Sequence, residues 1–173
     1  MLRLRKPDGV TTKSVLVAVS GNSADEEAVR FAAQMMEPQR GSLYIVHVIE
    51  VERSLPVDSE LPFHTTRGDD LLDRMERTAR PFRCEVYSEL LQARLAGHAI
   101  VHEAAERDVD AVVIGMPYKT KYGSFTLGDA APYVLEHALC RVVLWRSEIQ
   151  EEANHDRTAS DHSNLSEVDH GTG

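Results

Sequence analysis

The 173 residues are 42% hydrophobic and carry a formal charge of -9, which suits one domain with a real core and leaves too little chain for two. No apolar run approaches the roughly 18 residues of a membrane helix, and the opening Met-Leu-Arg-Leu-Arg-Lys-Pro lacks a signal peptide's apolar stretch, so no membrane insertion and a cytoplasmic location are expected. The charge is uneven: the arm 1–13 contributes +3, the body -6, and residues 147–173 a further -6, a balance that argues against a nucleic-acid surface.

The arm 1–13 is basic, with Arg3, Arg5, Lys6 and Lys13 against Asp8. Val15 to Val19 is a continuous apolar run, the mark of a parallel strand covered on both faces. Ser23-Ala-Asp-Glu26 fits a capping box, with Asp25 and Glu26 complementing the dipole, and predicts a helix start. Ala28, Phe31, Ala32, Met35 and Met36 form the core face of that helix, which ends at Pro38 and Gly41. Leu43 to Ile49 is a second buried strand, interrupted only by His47, which reads as a hydrogen-bonded core residue. The connection from Val51 to Arg67, with Pro56, Pro62 and the following Gly68, reads as a long loop, either a lid or a slack connection. A helix around Asp69 to Thr78 follows it.

Arg83 to Leu90 alternates, with Cys84, Val86, Ser88 and Leu90 on one face, and predicts an edge strand. The next helix, about Ala96 to Arg107, presents Ile100, Val101, Ala104 and Ala105. Asp110 to Ile114 is another central strand. A last helix begins near Ala130 and shows Val134, Leu135 and Ala138, with Pro132 tolerated in its first turn. Arg141 to Arg146 is the fifth strand. The stretch 147–173, acidic and rich in Ser, Asn and His, is predicted to be disordered. Cys84 and Cys140 form no CxxC pair and read as buried thiols.

This βαβαβαβαβ order predicts a single doubly wound α/β domain over 14–146, a five-stranded parallel sheet of order 3-2-1-4-5 with helices on both faces. A ligand crevice then falls between strands one and four, flanked by Ser20 to Ser23 and by the loop from Gly115 to Asp129. Such a glycine-bearing loop, leading into a helix N-terminus, suits phosphates. Tyr118 stands where a second glycine would ease close approach; its ring either stacks on a base or caps apolar surface. Asp129 brings a negative charge to the helix start and is itself a good N-cap, so that the chain would carry its own anion there. A carboxylate about 4 Å from a phosphate costs roughly 1 kcal/mol in water and roughly 4 at an effective dielectric near 20. Lys119 and Lys121 add positive charge to the loop, against a reading as solvated side chains. At the sheet edge, the fifth strand is apolar on both faces, and a two-fold dimer through Arg141 to Arg146 would cover Val143 and Trp145.

His98 and His102, four apart with Glu103 adjacent, suggest zinc but lack a third ligand, so no metal site is assigned. No GxSxG elbow, Walker sequence or His-Glu-x-x-His occurs, and nothing assembles a base, a nucleophile and an oxyanion site, so no enzymatic activity is expected beyond slow nucleotide hydrolysis.

Val15-Leu-Val-Ala-Val-Ser-Gly21, His47-Val-Ile-Glu50, Asp110-Ala-Val-Val-Ile-Gly115 and Val134 to Leu144 together resemble the universal stress protein family, over about Ser14 to Arg146. The resemblance implies a stress-response module binding ATP or a related adenine nucleotide through Gly-x2-Gly-x9-Gly followed by Ser or Thr. Gly115 and Gly128 match that motif, Tyr118 replaces its second glycine, and Asp129 replaces its Ser or Thr. Ser20 takes the position of an Asp near the adenine, and Val48 is the expected main-chain contact for the base. Met116 and Lys119 complete the implied site, and Mg²⁺ could bridge Asp129 to a polyphosphate. Gly123 to Ala138, with Leu91-Gln-Ala-Arg94, is similar to stress-protein-like domains of amino-acid permeases, which implies a transporter or signalling partner. Related domains of potassium sensor kinases add cyclic di-AMP as a second ligand. The alternative is a nucleotide-independent dimeric or transporter-regulating module whose phosphate site Asp129 blocks.

Overall fold

The computed structural model describes residues 11–118 and 126–148. Most of the basic arm, Lys119, Lys121 and nearly all of the acidic tail lie outside the described residues. Strands β1 (Ser14–Val19), β2 (Ser42–Glu50), β3 (Glu85–Ala93), β4 (Ala111–Met116) and β5 (Arg141–Arg146) alternate with helices α1 (Asp25–Met36), α2 (Pro62–Ala79), α3 (Ala96–Glu106) and α4 (Ala130–His137). Every strand pair is parallel and the order is β3-β2-β1-β4-β5, as the sequence predicts. No described helix is long and apolar enough to cross a membrane.

β1 lies at the centre because both of its faces are apolar. Val15, Val17 and Val19 enter a core with Ala28, Val29 and Ala32 of α1 and with Leu71, Leu72 and Met75 of α2. Leu16 and Ala18 enter a second core with Ile100 and Ala104 of α3 and with Val134 of α4. Removing these side chains from water on both faces is the main driving force for this layered arrangement.

Asp110, just before β4, fixes the start of β1. Its carboxylate accepts the backbone N–H groups of Lys13 at 2.7 Å and Ser14 at 3.0 Å, while its own N–H donates to the Ser14 carbonyl at 3.0 Å. The strands then run in register from Val15 opposite Ala111.

Two boundaries differ most from the sequence reading. α2 begins at Pro62 rather than near Asp69, because proline is compatible with a first turn whose N–H groups lack intrahelical partners. Gly68 lies inside this helix, where a Cβ would meet Leu90 Cδ1 at 2.5 Å and His47 Cδ2 at 3.1 Å. Here glycine serves close packing against β2 and β3, not a turn. β3 runs to Ala93 rather than Leu90, since it pairs with β2 over the whole span from Ser42 opposite Glu85 to Glu50 opposite Ala93. At the other edge, Trp145 stacks on Phe31 of α1 with ring centroids 4.6 Å apart, and its Nε1–H donates to Glu27 at 3.2 Å. The chain thus covers Trp145 in part from within, where the sequence reading gave that task to a second copy.

The Asp110 anchor predicts a pH signature. The Lys13 N–H, with that of Ser14, holds its carboxyl below the ordinary carboxylate range despite some desolvation. Its contribution to stability is therefore present above that range and is lost as pH falls through the folded pKa. Asp110→Asn is expected to lower stability by about 1 kcal/mol at neutral pH and to approach the parent in acid, measured by urea midpoints at both pH values. An equal loss at both would contradict this role.

Candidate functional site

The turn between β1 and α1 is built around a buried carboxylate. Asp25 is 1% exposed, and its Oδ2 accepts the backbone N–H groups of Ser20 at 2.9 Å, Gly21 at 2.6 Å and Asn22 at 3.0 Å. Gly21 allows this curl by adopting φ +86°. The expected capping box does not form. Ala24 stands at the N-cap without a side-chain bond, and its N–H donates to Asn22 Oδ1 at 2.8 Å. Asp25 turns inward to the three preceding N–H groups instead of remaining on the solvated first turn. Burial pushes its carboxyl above the ordinary carboxylate range, and the three N–H bonds and nearby His47 oppose this only in part.

Asn22 also joins the two lips of the crevice. Its Nδ2 donates to the Gly115 carbonyl at 3.0 Å and to Ser20 Oγ at 2.9 Å. At Gly115 a Cβ would meet the Ala24 carbonyl oxygen at 3.0 Å, so this glycine lets β4 pass close beneath the start of α1. His47 Nδ1–H donates to the carbonyl of Val19 at 2.8 Å, tying β2 to the last residue of β1; the expected hydrogen bond is present, but the ring is only half-buried and lines the cleft rather than the core.

A cleft of about 910 Å³ opens at the C-terminal ends of β1, β2 and β4, within the size range of small-molecule sites. Of the residues singled out in the sequence, Ser20, Val48, Gly115, Met116, Gly128 and Asp129 line it. Tyr118 does not; the Arg146 guanidinium lies 5.2 Å over its ring, and its N–H donates to Ser147 Oγ at 3.2 Å. Lys119 lies outside the described residues. Gly128 has φ +66° with open space around it, and its N–H donates to Thr126 Oγ1 at 3.2 Å. Asp129 occupies the N-cap position of α4, but its exposed carboxylate makes no capping bond. The chain's internal anion is thus Asp25, at the turn after β1, and not Asp129.

One wall escaped the sequence reading. His64, Arg67, Leu71 and Arg74 of α2, spaced three, four and three residues apart, line the cleft together with Asp70. Their helical spacing was the available signal, hidden because Pro62 and Gly68 read as loop. The connection into α2 is held in place rather than slack. Arg94 at the end of β3 donates to the carbonyls of Val51, Glu52 and Leu55, the last at 2.6 Å, and Gln92 donates to the Ser59 carbonyl at 3.1 Å.

The histidine pair considered for zinc is divided between other contacts. His98 stacks on Tyr133 at 3.8 Å and His102 lies 3.9 Å from Glu106; no group of three ligating residues occurs among the described residues. Cys84 and Cys140 are free and half-buried, each with its thiol pushed up chiefly by burial.

Asp25 generates a pH prediction opposite in sign to that of Asp110. Because its folded pKa is raised, its favourable contribution is complete below the ordinary carboxylate range and falls as pH rises through the folded value. Asp25→Asn has no such proton to lose. Urea unfolding from pH 3 to 7 is expected to show the parent losing ground to the variant as pH rises, and a constant difference would contradict the assignment.

Comparison with known proteins places this geometry. The model of the universal stress protein family matches residues 11–146. The universal stress protein MJ0531 of Methanocaldococcus jannaschii is 21% identical over 138 residues, 76% of this chain and 81% of that protein. The solved universal stress protein of Archaeoglobus fulgidus superposes with a TM-score of 0.64 at 23% identity, covering 76% of this chain and 96% of its own. A structure of the Archaeoglobus fulgidus protein in complex with dAMP gives a TM-score of 0.60 at 22% identity, covering 78% and 98%. With the family model spanning all five strands, and the sheet order and crevice described above, the chain belongs to the universal stress protein family.

Proposed function

We propose that this protein is a cytoplasmic stress-response module that binds an adenine nucleotide in the cleft between β1 and β4 and acts through binding rather than catalysis. The observation that carries this reading is the cleft itself, at the point where the sheet order reverses, lined by Ser20, Val48, Gly115, Met116, Gly128 and Asp129. In open parallel sheets ligands enter at this place. The dAMP complex of a fold relative adds support for the ligand class. In this reading the base lies between Ser20 and Val48, and the sugar and first phosphate face Gly115 and Gly128. ATP with Mg²⁺ held by Asp129 is one form of the ligand, and cyclic di-AMP is another. A homodimer through the free edge of β5, and a transporter or signalling partner, would carry the signal onward.

The exposed carboxylate of Asp129 favours a second reading, in which phosphate is repelled and the module works through protein contacts alone. The two readings separate in a thermal-shift titration with AMP, ADP, ATP with Mg²⁺ and cyclic di-AMP, beside Asp129→Ser. Ligand at about a hundred times its dissociation constant stabilises by roughly 2.7 kcal/mol, several degrees for a domain of this size. The first reading expects a shift in the parent and about fivefold tighter binding of the metal-free nucleotides in the variant, with no such gain for the Mg²⁺ complex that Asp129 would hold. A shift in the variant alone would establish the second reading, and none in either would overturn nucleotide binding.

A further inference from the structure

The electrostatics of the cleft are lopsided. Among the described residues, Arg67 and Arg74 are the only lysines or arginines that line it, and both belong to α2. On the opposite lip stands Asp129, whose exposed carboxylate makes no capping bond. Of the other lining carboxylates, Glu50 already accepts the Ala96 N–H at 2.7 Å at the start of α3, and Asp70 lies between the two arginines along α2.

The two arginines are presented rather than consumed. Arg67 and Arg74, seven residues apart, share the stripe that includes Leu71, which is 6% exposed and packed into the core. The close contact at Gly68 and the Arg94 clamp hold the helix that carries this stripe. The Arg67 guanidinium carbon lies 5.5 Å from the centroid of the Phe63 ring, a cation–π contact. Arg74 faces Glu26 at 3.5 Å with both side chains 52% exposed. An exposed pair of this kind is weak and exchanges readily for a stronger anion.

We infer that Arg67 and Arg74 of α2 bind the second phosphate of a pyrophosphate-bearing nucleotide. The nucleoside and first phosphate occupy the crevice between β1 and β4, and the remaining phosphate turns away from Asp129 toward α2. Guanidinium groups suit this role because they bind phosphate oxygens in paired, charge-assisted hydrogen bonds. The inference rests on the adenine-nucleotide reading above and specifies its ligand as one carrying at least two phosphates.

The test is calorimetric titration of AMP and ADP, without divalent cations, into the parent, Arg67→Gln, Arg74→Gln, the double variant, and Arg77→Gln. Arg77 lies on the same helix but does not line the cleft, so it controls for the loss of one positive charge. ADP is expected to bind the parent more tightly than AMP, and the double variant to lose on the order of tenfold in ADP affinity with AMP unchanged. Arg77→Gln should match the parent, and unaltered melting temperatures would exclude misfolding. ADP affinity unchanged in the double variant, or AMP and ADP weakened alike, would overturn the α2 assignment while leaving nucleotide binding intact. Failure of both nucleotides to bind the parent would overturn the underlying reading and this inference with it.

Discussion

The cleft depends on one turn. Three consecutive N–H groups after β1 converge on the buried Oδ2 of Asp25, and the same turn gives Asn22 the position from which it holds the Gly115 carbonyl. Without Asp25 those donors would need water or an external anion. With it, the end of β1 and the end of β4 are fixed relative to each other before any ligand arrives. Such a prepared site binds with less ordering on association.

The same turn separates two functions that helix N-termini often combine. A helix start can satisfy its donors with an internal side chain or an external phosphate. In the turn just ahead of α1 the internal solution is used, because Asp25 fills the concavity formed by the N–H groups of Ser20, Gly21 and Asn22, although no side chain of the N-cap residue closes the helix itself. At α4 no side chain among the described residues caps the first turn, although Asp129 stands at the N-cap. A phosphate bound at this crevice would therefore face the α4 side or the arginines of α2, and the closed turn after β1 supplies shape. Glu50 contributes in the same structural way, since its carboxylate is committed to the start of α3.

The fold was legible where burial is continuous. The apolar runs of β1 and β4 required cover on both faces, and their central positions set the strand order and hence the place of the crevice. Legibility ended where one residue type serves two purposes. Pro62 and Gly68 read locally as breakers, and only the contacts of Gly68 with Leu90 and His47 explain a helix running through them. Asp25 fitted a solvated first turn as well as a buried one, and the choice depends on the backbone curl at Gly21. The hidden start of α2 concealed Arg67 with it. Tyr118, by contrast, matched a motif position in spacing, yet its ring lies under Arg146 and away from the lining of the cleft.

The central claim, that the crevice between β1 and β4 is the ligand site, is tested most directly by mapping backbone amide shifts during titration with AMP. The account predicts that the amides of Ser20, Gly21, Val48, Gly115 and Gly128 move together along one saturating curve, while those around Phe31 and Trp145 stay still. Movement confined to the β5 edge, or no movement at millimolar AMP, would contradict it.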